Sequence, residues 1–534
     1  MMNKYIVSAL MAMTLATGAS AQQDLNAEEL KGLELDYMND MSSGKVYVYT
    51  DLTYWNLFGV RLHGWNGGSG ASSVLLPGGR TLWTFGDSFF GIVSENRNRM
   101  KYNMPHSAAM VQSGEASQDD FITLNEYVST QRTLKNNYTY WGKAWVRHPE
   151  ATLDQAQIDK GKIDADHYYR PEDGVVVNGG EGYPMLQMLL AGYDADNNRN
   201  ETSLALFSLE GAPGDATYMK LVDLRRNIVD YSASYGTSVL EDGGRIYLYG
   251  NVQSSGVWGN TCYPVVARTQ NRSLDSPWEY YVKNSDNKWV WQSTVPTDAE
   301  LKRSGISSGQ WCEHPSVFKY GEKYYMCMFE KVNSSLYIME ASQPYGPFMH
   351  RKRLCTMPSN QADMMRLMVH PQLSRMGELV VSYNMVPAAT TVITKGADGM
   401  AVVTPVAGPA RNYNAWESAD LQQQHFLRIF GWQTLYGVEN IGPIKDAGME
   451  QYTTAISSTT ADMSQHQLSV SPLQATTSVD IRHDGRFVWT IASATGAVVS
   501  SGEAIGVAHV DVSTLPKGVY IVSAGTESCK IVKR

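Results

Sequence analysis

Three carboxylates occupy positions from which a β-rich chain can do chemistry. Asp87 follows Trp83-Thr84-Phe85-Gly86 and precedes Ser88, and the adjacent glycine lets a ligand come close to the backbone. Asp173 opens the run Asp173-Gly174-Val175-Val176, and Glu313 lies within Trp311-Cys312-Glu313-His314-Pro315. Hydrolysis of a glycosidic bond commonly uses two such groups facing it, one as acid and one as nucleophile or base. Each also has a plain structural use: Asp87 as a turn cap, Asp173-Gly174 as a turn, Glu313 as the partner of an arginine. Three histidines stand just ahead of strand-like runs: His106 before Ser107, His314 before Pro315 and His370 before Pro371. Converging imidazoles would hold a substrate hydroxyl or a metal. No local spacing marks a metal site, so the simpler expectation is that each ring satisfies a backbone carbonyl where sheets meet. No metal ligand is assigned and no cofactor is expected; a structural cation on a central axis stays open.

The elements that must position these groups are strands. Short alternating runs broken by Gly, Asp and Asn predict an all-β architecture. A weak repeat recurs, pairing a Ser-Val-like strand with an aromatic-rich one across a glycine turn. Ser72-Ser73-Val74-Leu75-Leu76 pairs with Thr81-Leu82-Trp83-Thr84-Phe85, and Thr237-Ser238-Val239-Leu240 with Arg245-Ile246-Tyr247-Leu248-Tyr249. Pro315-Ser316-Val317-Phe318 pairs with Lys323-Tyr324-Tyr325-Met326, and Pro371-Gln372-Leu373-Ser374 with Glu378-Leu379-Val380-Val381. A looser copy runs from Asp173 to Leu189. Five hairpins spaced roughly 60 to 100 residues apart predict a five-bladed β-propeller; a β-sandwich of repeated hairpins is the alternative. Residues 468–534 carry enough short strands for a small β-sandwich, after a Ser/Thr-rich linker at 453–467.

Residues 1–21 have the three parts of a secretory signal: Lys4, an apolar run from Tyr5 to Ala16, and Ala19-Ser20-Ala21. The expected layout is therefore a signal at 1–21, a propeller over 22–452, a linker, and a terminal module. No later segment approaches the length of a membrane helix. The net charge of −9 is dispersed without a basic run, which argues against nucleic acid and anionic membrane as partners. The 31 Tyr and 13 Trp suit both β structure and sugar faces; Trp65, Tyr140, Trp141, Trp145, Tyr168 and Trp311 are candidate stacking platforms. The five cysteines form no CxxC pair, and Cys312 and Cys327 are either bridged or two separate thiols.

The tail Asp511-Val512-Ser513-Thr514-Leu515-Pro516-Lys517-Gly518-Val519-Tyr520-Ile521-Val522 closely resembles the C-terminal sorting domain of type IX secretion substrates. That resemblance implies passage across the outer membrane of a Bacteroidota-type cell, with the secretion machinery as a partner. The body resembles a Bacteroidota family of secreted five-bladed propellers with no assigned chemistry. The resemblance rests on Trp83-Thr84-Phe85-Gly86-Asp87-Ser88-Phe89-Phe90-Gly91, Tyr169-Arg170-Pro171-Glu172-Asp173-Gly174, Tyr235-Gly236-Thr237-Ser238-Val239, and His370-Pro371 with Ser382-Tyr383-Asn384. This family is distantly similar to propeller D-arabinan hydrolases and, more loosely, to arabinosidase-type propellers, in which a segment like that around Glu313 supplies the general acid. The resemblance implies a polysaccharide or oligosaccharide partner. The positions of the residues then make Asp87 and Glu313 the expected catalytic pair with Asp173 assisting, and Trp65, Ser69, His106, Trp311, His314 and His370 the expected substrate contacts. One departure weighs against turnover: where the family pattern often has Gly-Asp-Gly, this chain has Gly68-Ser69-Gly70, and serine is no carboxylate acid or base. A carbohydrate-binding propeller or a cell-surface scaffold is the alternative function.

Overall fold

A computed structural model describes residues 33–35, 46–59, 61–113, 121–132, 137–179, 183–211, 213, 215, 217–229, 233–256, 259–307, 314–330, 335–356, 362–387, 391–395, 401–405, 419, 422–444, 469–471, 474–493, 497–524 and 527–534. The expected signal at 1–21, the expected linker at 453–467 and the segment Trp311-Cys312-Glu313 lie outside the described residues. The chain is mostly β and divides into two units, Met1–Met449 and Glu450–Arg534.

Five antiparallel sheets dominate the first unit. The first comprises Ser72–Leu76, Arg80–Phe85, Ala108–Gln112 and Phe121–Thr123. The second is His167–Asn178, Pro184–Asp194, Arg199–Ser208 and Lys220–Arg225. The third begins with Ser238–Asp242 and Arg245–Gly256, the fourth with Ser316–Tyr320 and Lys323–Glu330. The fifth is composite: Ala362–Val369, Leu379–Pro387 and Gln424–Phe430 are joined by Tyr47–Asp51 from the other end of the unit. Four of the expected hairpins thus coincide with the first two strands of a sheet. The other is displaced: its first strand is Ala362–Val369, and Pro371–Leu373 is a 3-10 turn. Pro371 has no N–H to give to a ladder, so the chain turns there instead.

Neighbouring sheets bury their faces on each other, which explains why so many of the aromatic rings are interior. Val175, Val177 and Leu189 of the second sheet pack with Ile246, Leu248 and Val265 of the third. Tyr249 and Val266 of the third pack with Met326 and Met339 of the fourth. Phe318, Tyr325 and Ile338 of the fourth meet Leu367, Leu379 and Leu427 of the fifth. Trp83, Phe85 and Met110 of the first meet Val380 and Phe426 of the fifth, roofed by Phe58 from the helix Leu52–Gly59. The leading strands of the first and second sheets, Ser72–Leu76 and His167–Asn178, also touch. The five contacts run round a closed ring of sheets. Arg428 clamps the composite sheet by donating to Asp51 (2.6 Å) and Glu378 (2.5 Å), with all three side chains almost fully buried.

The second unit has one main sheet around Ser478–Ser493, Val498–Asp511, Gly518–Ala524 and Glu527–Lys533. Its core is Val479, Ile481, Trp489, Ile491, Val510 and Val522. Among the described residues no helix is long and apolar enough to cross a membrane.

Candidate functional site

Asp87 occupies the corner where the chain leaves the strand Arg80–Phe85 and enters Ser88–Val93 of a separate small sheet. Backbone bonds hold that corner against Ser69, whose N–H donates to the Asp87 carbonyl (2.9 Å) while Gly86 N–H donates to the Ser69 carbonyl (2.8 Å). Residue 86 must be glycine, because a Cβ there would lie 2.7 Å from Ser69 Oγ. The Asp87 carboxylate is gripped by side chains. Arg170 donates to both of its oxygens, from Nε at 3.0 Å and Nη2 at 2.9 Å, and His106 Nδ1 stands 2.7 Å from Oδ1. Burial alone would raise its pKa, but the His106 hydrogen bond and the Arg170 charge outweigh it and hold the carboxyl well below the usual range. Asp87 is therefore ionised at any ordinary pH. It suits attack, proton acceptance or stabilisation of a developing cation, and it cannot be the general acid. Its side chain keeps 26% of its surface exposed, while His106 stacks on Tyr168 at 3.7 Å.

Asp173 serves a different purpose. It accepts from Val239 N–H of the third sheet (2.8 Å), from Gly174 N–H (2.8 Å) and from Ser72 Oγ of the first sheet (3.1 Å). From the second sheet it thus ties in two neighbouring sheets, the first and the third, and backbone donors take up much of its accepting capacity. His370 is likewise interior rather than substrate-facing. It has no exposed surface, and its two ring nitrogens lie 2.6 Å from Ser73 Oγ and 2.7 Å from Ser382 Oγ. Burial lowers its pKa to about 3, so the ring is neutral. The partners are hydroxyls of adjoining sheets, not the backbone carbonyl expected of it. Trp65 is no sugar platform either: it is 1% exposed and packs on Phe85 and Phe58. Trp145 is half-buried and stacked on Phe207 at 4.6 Å.

Two cavities adjoin the Asp87 corner. One of about 30 Å³ is lined by Ser69, Thr84, Gly86, Glu172, His314 and Arg366, among others. It has room for about two waters. His314 is half-buried there, its pKa lowered to about 3 by burial first and then by the positive charges of Arg366 and Arg199. The other cavity, about 350 Å³, is walled by His106, Tyr168, Trp145, Phe207, Lys143 and Arg147, among others. Asp87 therefore has immediate neighbours in both.

The cations of the site are not among the candidates that the sequence marks. Arg170 stands in Tyr169-Arg170-Pro171-Glu172-Asp173-Gly174, where nothing local sets it apart. Arg366 is the lone charge in Met364-Met365-Arg366-Leu367-Met368, an isolation that could have marked it. Away from these, His148, Glu150 and His167 bring donor atoms within 4.8 Å of one another. Two of the three are already engaged: Arg226 pairs with Glu150 (2.8 Å) and Glu201 (2.6 Å), and His148 bonds Glu201 and the Glu150 N–H, while His167 stacks on His148 at 5.2 Å. Cys327 is a buried thiol beside Cys355, and its proposed partner Cys312 is outside the described residues.

These features define a mostly-β, sheet-ring protein with an ionised, partly exposed carboxylate whose neighbours line two cavities. The chain belongs to the family of the Domain of unknown function (DUF5005), whose model matches residues 51–432. It is similar to a candidate hydrolase from Bacteroides ovatus of known crystal structure, at 34% identity and a TM-score of 0.67, over 78% of this chain and 98% of that one. Lower similarity links it to a GH43_1 enzyme from Xanthomonas citri (13% identity, TM-score 0.31, 66% of this chain and 94% of that one). An exo-beta-1,3-galactanase from Phanerochaete chrysosporium stands at 8% and 0.33, over 88% of this chain and 97% of that one. No curated protein matches the sequence.

Proposed function

We propose that this chain is a secreted five-bladed β-propeller that hydrolyses a glycan, its blades being the five sheets of the ring. The observation that carries the reading is Asp87. Of the two candidate acids in the described residues, it is the one held by side chains rather than backbone, and it keeps a solvent-exposed face beside two cavities. In the reaction, water adds across the glycosidic C–O bond. Asp87 attacks the anomeric carbon or takes the proton of the attacking water, and Glu313 gives a proton to the leaving oxygen. Asp173 is assigned to holding the ring. The name of the Bacteroides ovatus relative agrees with hydrolysis. An arabinofuranosyl-containing polysaccharide is the first substrate to try. Export through residues 1–21, and type IX sorting through a β-sandwich in the second unit, would bring the protein to that polymer outside the cell.

Product release from a polysaccharide panel tests this. Unmodified protein should cleave at least one arabinofuranosyl polymer, and Asp87→Asn and Glu313→Gln should each remove turnover while keeping sugar binding. Binding without cleavage by the unmodified protein would sink the hydrolase and leave a carbohydrate-binding propeller. Ser69 favours that second reading, since its hydroxyl lines the small cavity where the family pattern often has an acid.

A further inference from the structure

The small cavity beside Asp87 is furnished with donors. Ser69 Oγ and Thr84 Oγ1 line it, belong to residues 6% and 2% exposed, and have no hydrogen-bond partner among the described residues. Arg366 lines it too, with no ion pair or hydrogen bond among the described residues. Every other arginine around the site has a carboxylate: Arg170 has Asp87, and Arg199 has Glu172 (3.1 Å). The Glu172 charge is thereby neutralised, so among the described lining residues Arg366 is the one uncompensated charge.

The backbone of Arg366 is specialised as well. It sits at a register break between Met365 and Met368 of the strand Ala362–Val369, at φ +52°, a region that favours glycine. Bulges of this kind re-aim a side chain, and strained non-glycine residues collect at functional sites. Gly70 makes the room: a Cβ there would lie 3.2 Å from Arg366 Cδ. A buried hydroxyl or an unpaired guanidinium is costly unless a ligand satisfies it. About two oxygen-sized positions facing two hydroxyls and a guanidinium match a carboxylate head.

We infer that this cavity is an anion subsite in which Arg366, Ser69 and Thr84 bind a carboxylate carried by the glycan, so that the substrate class is a uronate-bearing polysaccharide. The inference rests on the glycan reading above. Glu172 also lines the cavity, its charge held by Arg199.

Calorimetry of the full chain with a matched pair of oligosaccharides, one bearing a uronate and the other its reduced primary alcohol, tests this. The uronate form should bind about 10- to 100-fold more tightly, the range of a charged hydrogen-bonded contact. Arg366→Gln should erase that preference while leaving neutral-sugar binding and melting temperature in place. Ser69→Ala with Thr84→Val, which removes only unpartnered hydroxyls, should reduce the preference several-fold and serves if Arg366→Gln does not fold. Equal affinities for the pair in the unmodified protein, or a preference that survives Arg366→Gln, would overturn the subsite while leaving the hydrolase standing. Acetate or free uronate binding as tightly as the oligosaccharide would overturn the polymer assignment. Failure to bind either sugar strikes the glycan reading itself.

Discussion

Replacing Arg170 with Met removes the cation that holds Asp87 and leaves His106 as its one side-chain partner. The two side chains are 12% and 26% exposed, so the pair lies between the buried and surface limits. Breaking a fully buried pair costs about 3–5 kcal/mol, and an exposed pair is worth about 1 kcal/mol or less. About 2 kcal/mol is the expected loss here. At about 2.1 cal/mol/K per residue for a unit of this size, the melting temperature should fall by about 2 °C at pH 7. The pH dependence is more diagnostic. Asp87 has its folded pKa depressed, so its stabilisation is present above the unfolded value near 4 and is lost as pH falls through the lower folded value. The stability gap between unmodified protein and Arg170→Met should therefore be constant from about pH 5 to 8 and narrow below about pH 4. In activity, the acid limb of kcat/KM should move up in Arg170→Met, because burial would no longer be offset by the guanidinium. Arg170→Lys should fall between, having the charge without the two-pronged grip. Melts from pH 3 to 8 and a kcat/KM profile on the cleaved polymer read both effects. A gap that widens on acidification, or an acid limb that stays in place, would refute the role given to Arg170.

The other expectations concern the frame. Asp173→Ala strips an acceptor from two backbone N–H groups and Ser72, and should cost about 2–3 kcal/mol in chemical denaturation with KM unchanged; a large KM change at constant stability would contradict it. Arg428→Met leaves Asp51 and Glu378 buried and unpaired, for a loss of about 3–5 kcal/mol. Adding Asp51→Asn and Glu378→Gln should recover part of that, and no recovery would count against a charge origin. His370 is neutral when folded, with its pKa lowered to about 3 against 6.5. Its contribution is therefore complete above about pH 6.5 and drains away as pH falls toward 3. His370→Gln should show a flatter stability profile across that window, and parallel profiles would dismiss the assignment.

Much of the frame was legible because strand alternation and glycine turns are local signals. Hairpins such as Ser72–Leu76 with Arg80–Phe85 declare themselves through turn chemistry and a two-residue period. The last hairpin differs from its expected place because Ala362–Val369 reads as an apolar run with a charge inside it, whereas Pro371–Leu373 has the form of the other hairpin openings. Sheet closure by Tyr47–Asp51 joins residues nearly 400 positions apart, and nothing in a local window reports it.

For the site, the acids were visible and their duties were not. Asp87 and Asp173 both stand beside glycine in the sequence, and no sequence feature separates them. What separates them is the identity of the donors: side chains from His106 and Arg170 in one case, backbone from Gly174 and Val239 in the other. Arg170 and Val239 reach these acids from sheets 83 and 66 positions away in sequence, so the distinction is complete only once the sheets are packed. Cations behave differently. An arginine within an apolar strand must find a carboxylate, reach solvent or wait for a ligand, because an unpaired buried charge is costly. Arg428 has taken the first course, with Asp51 and Glu378; Arg366 has no such partner among the described residues. With Asp51, Asp173 and Glu378 committed to holding sheets together, a strand arginine without a carboxylate among the described residues is the more informative mark of a binding site.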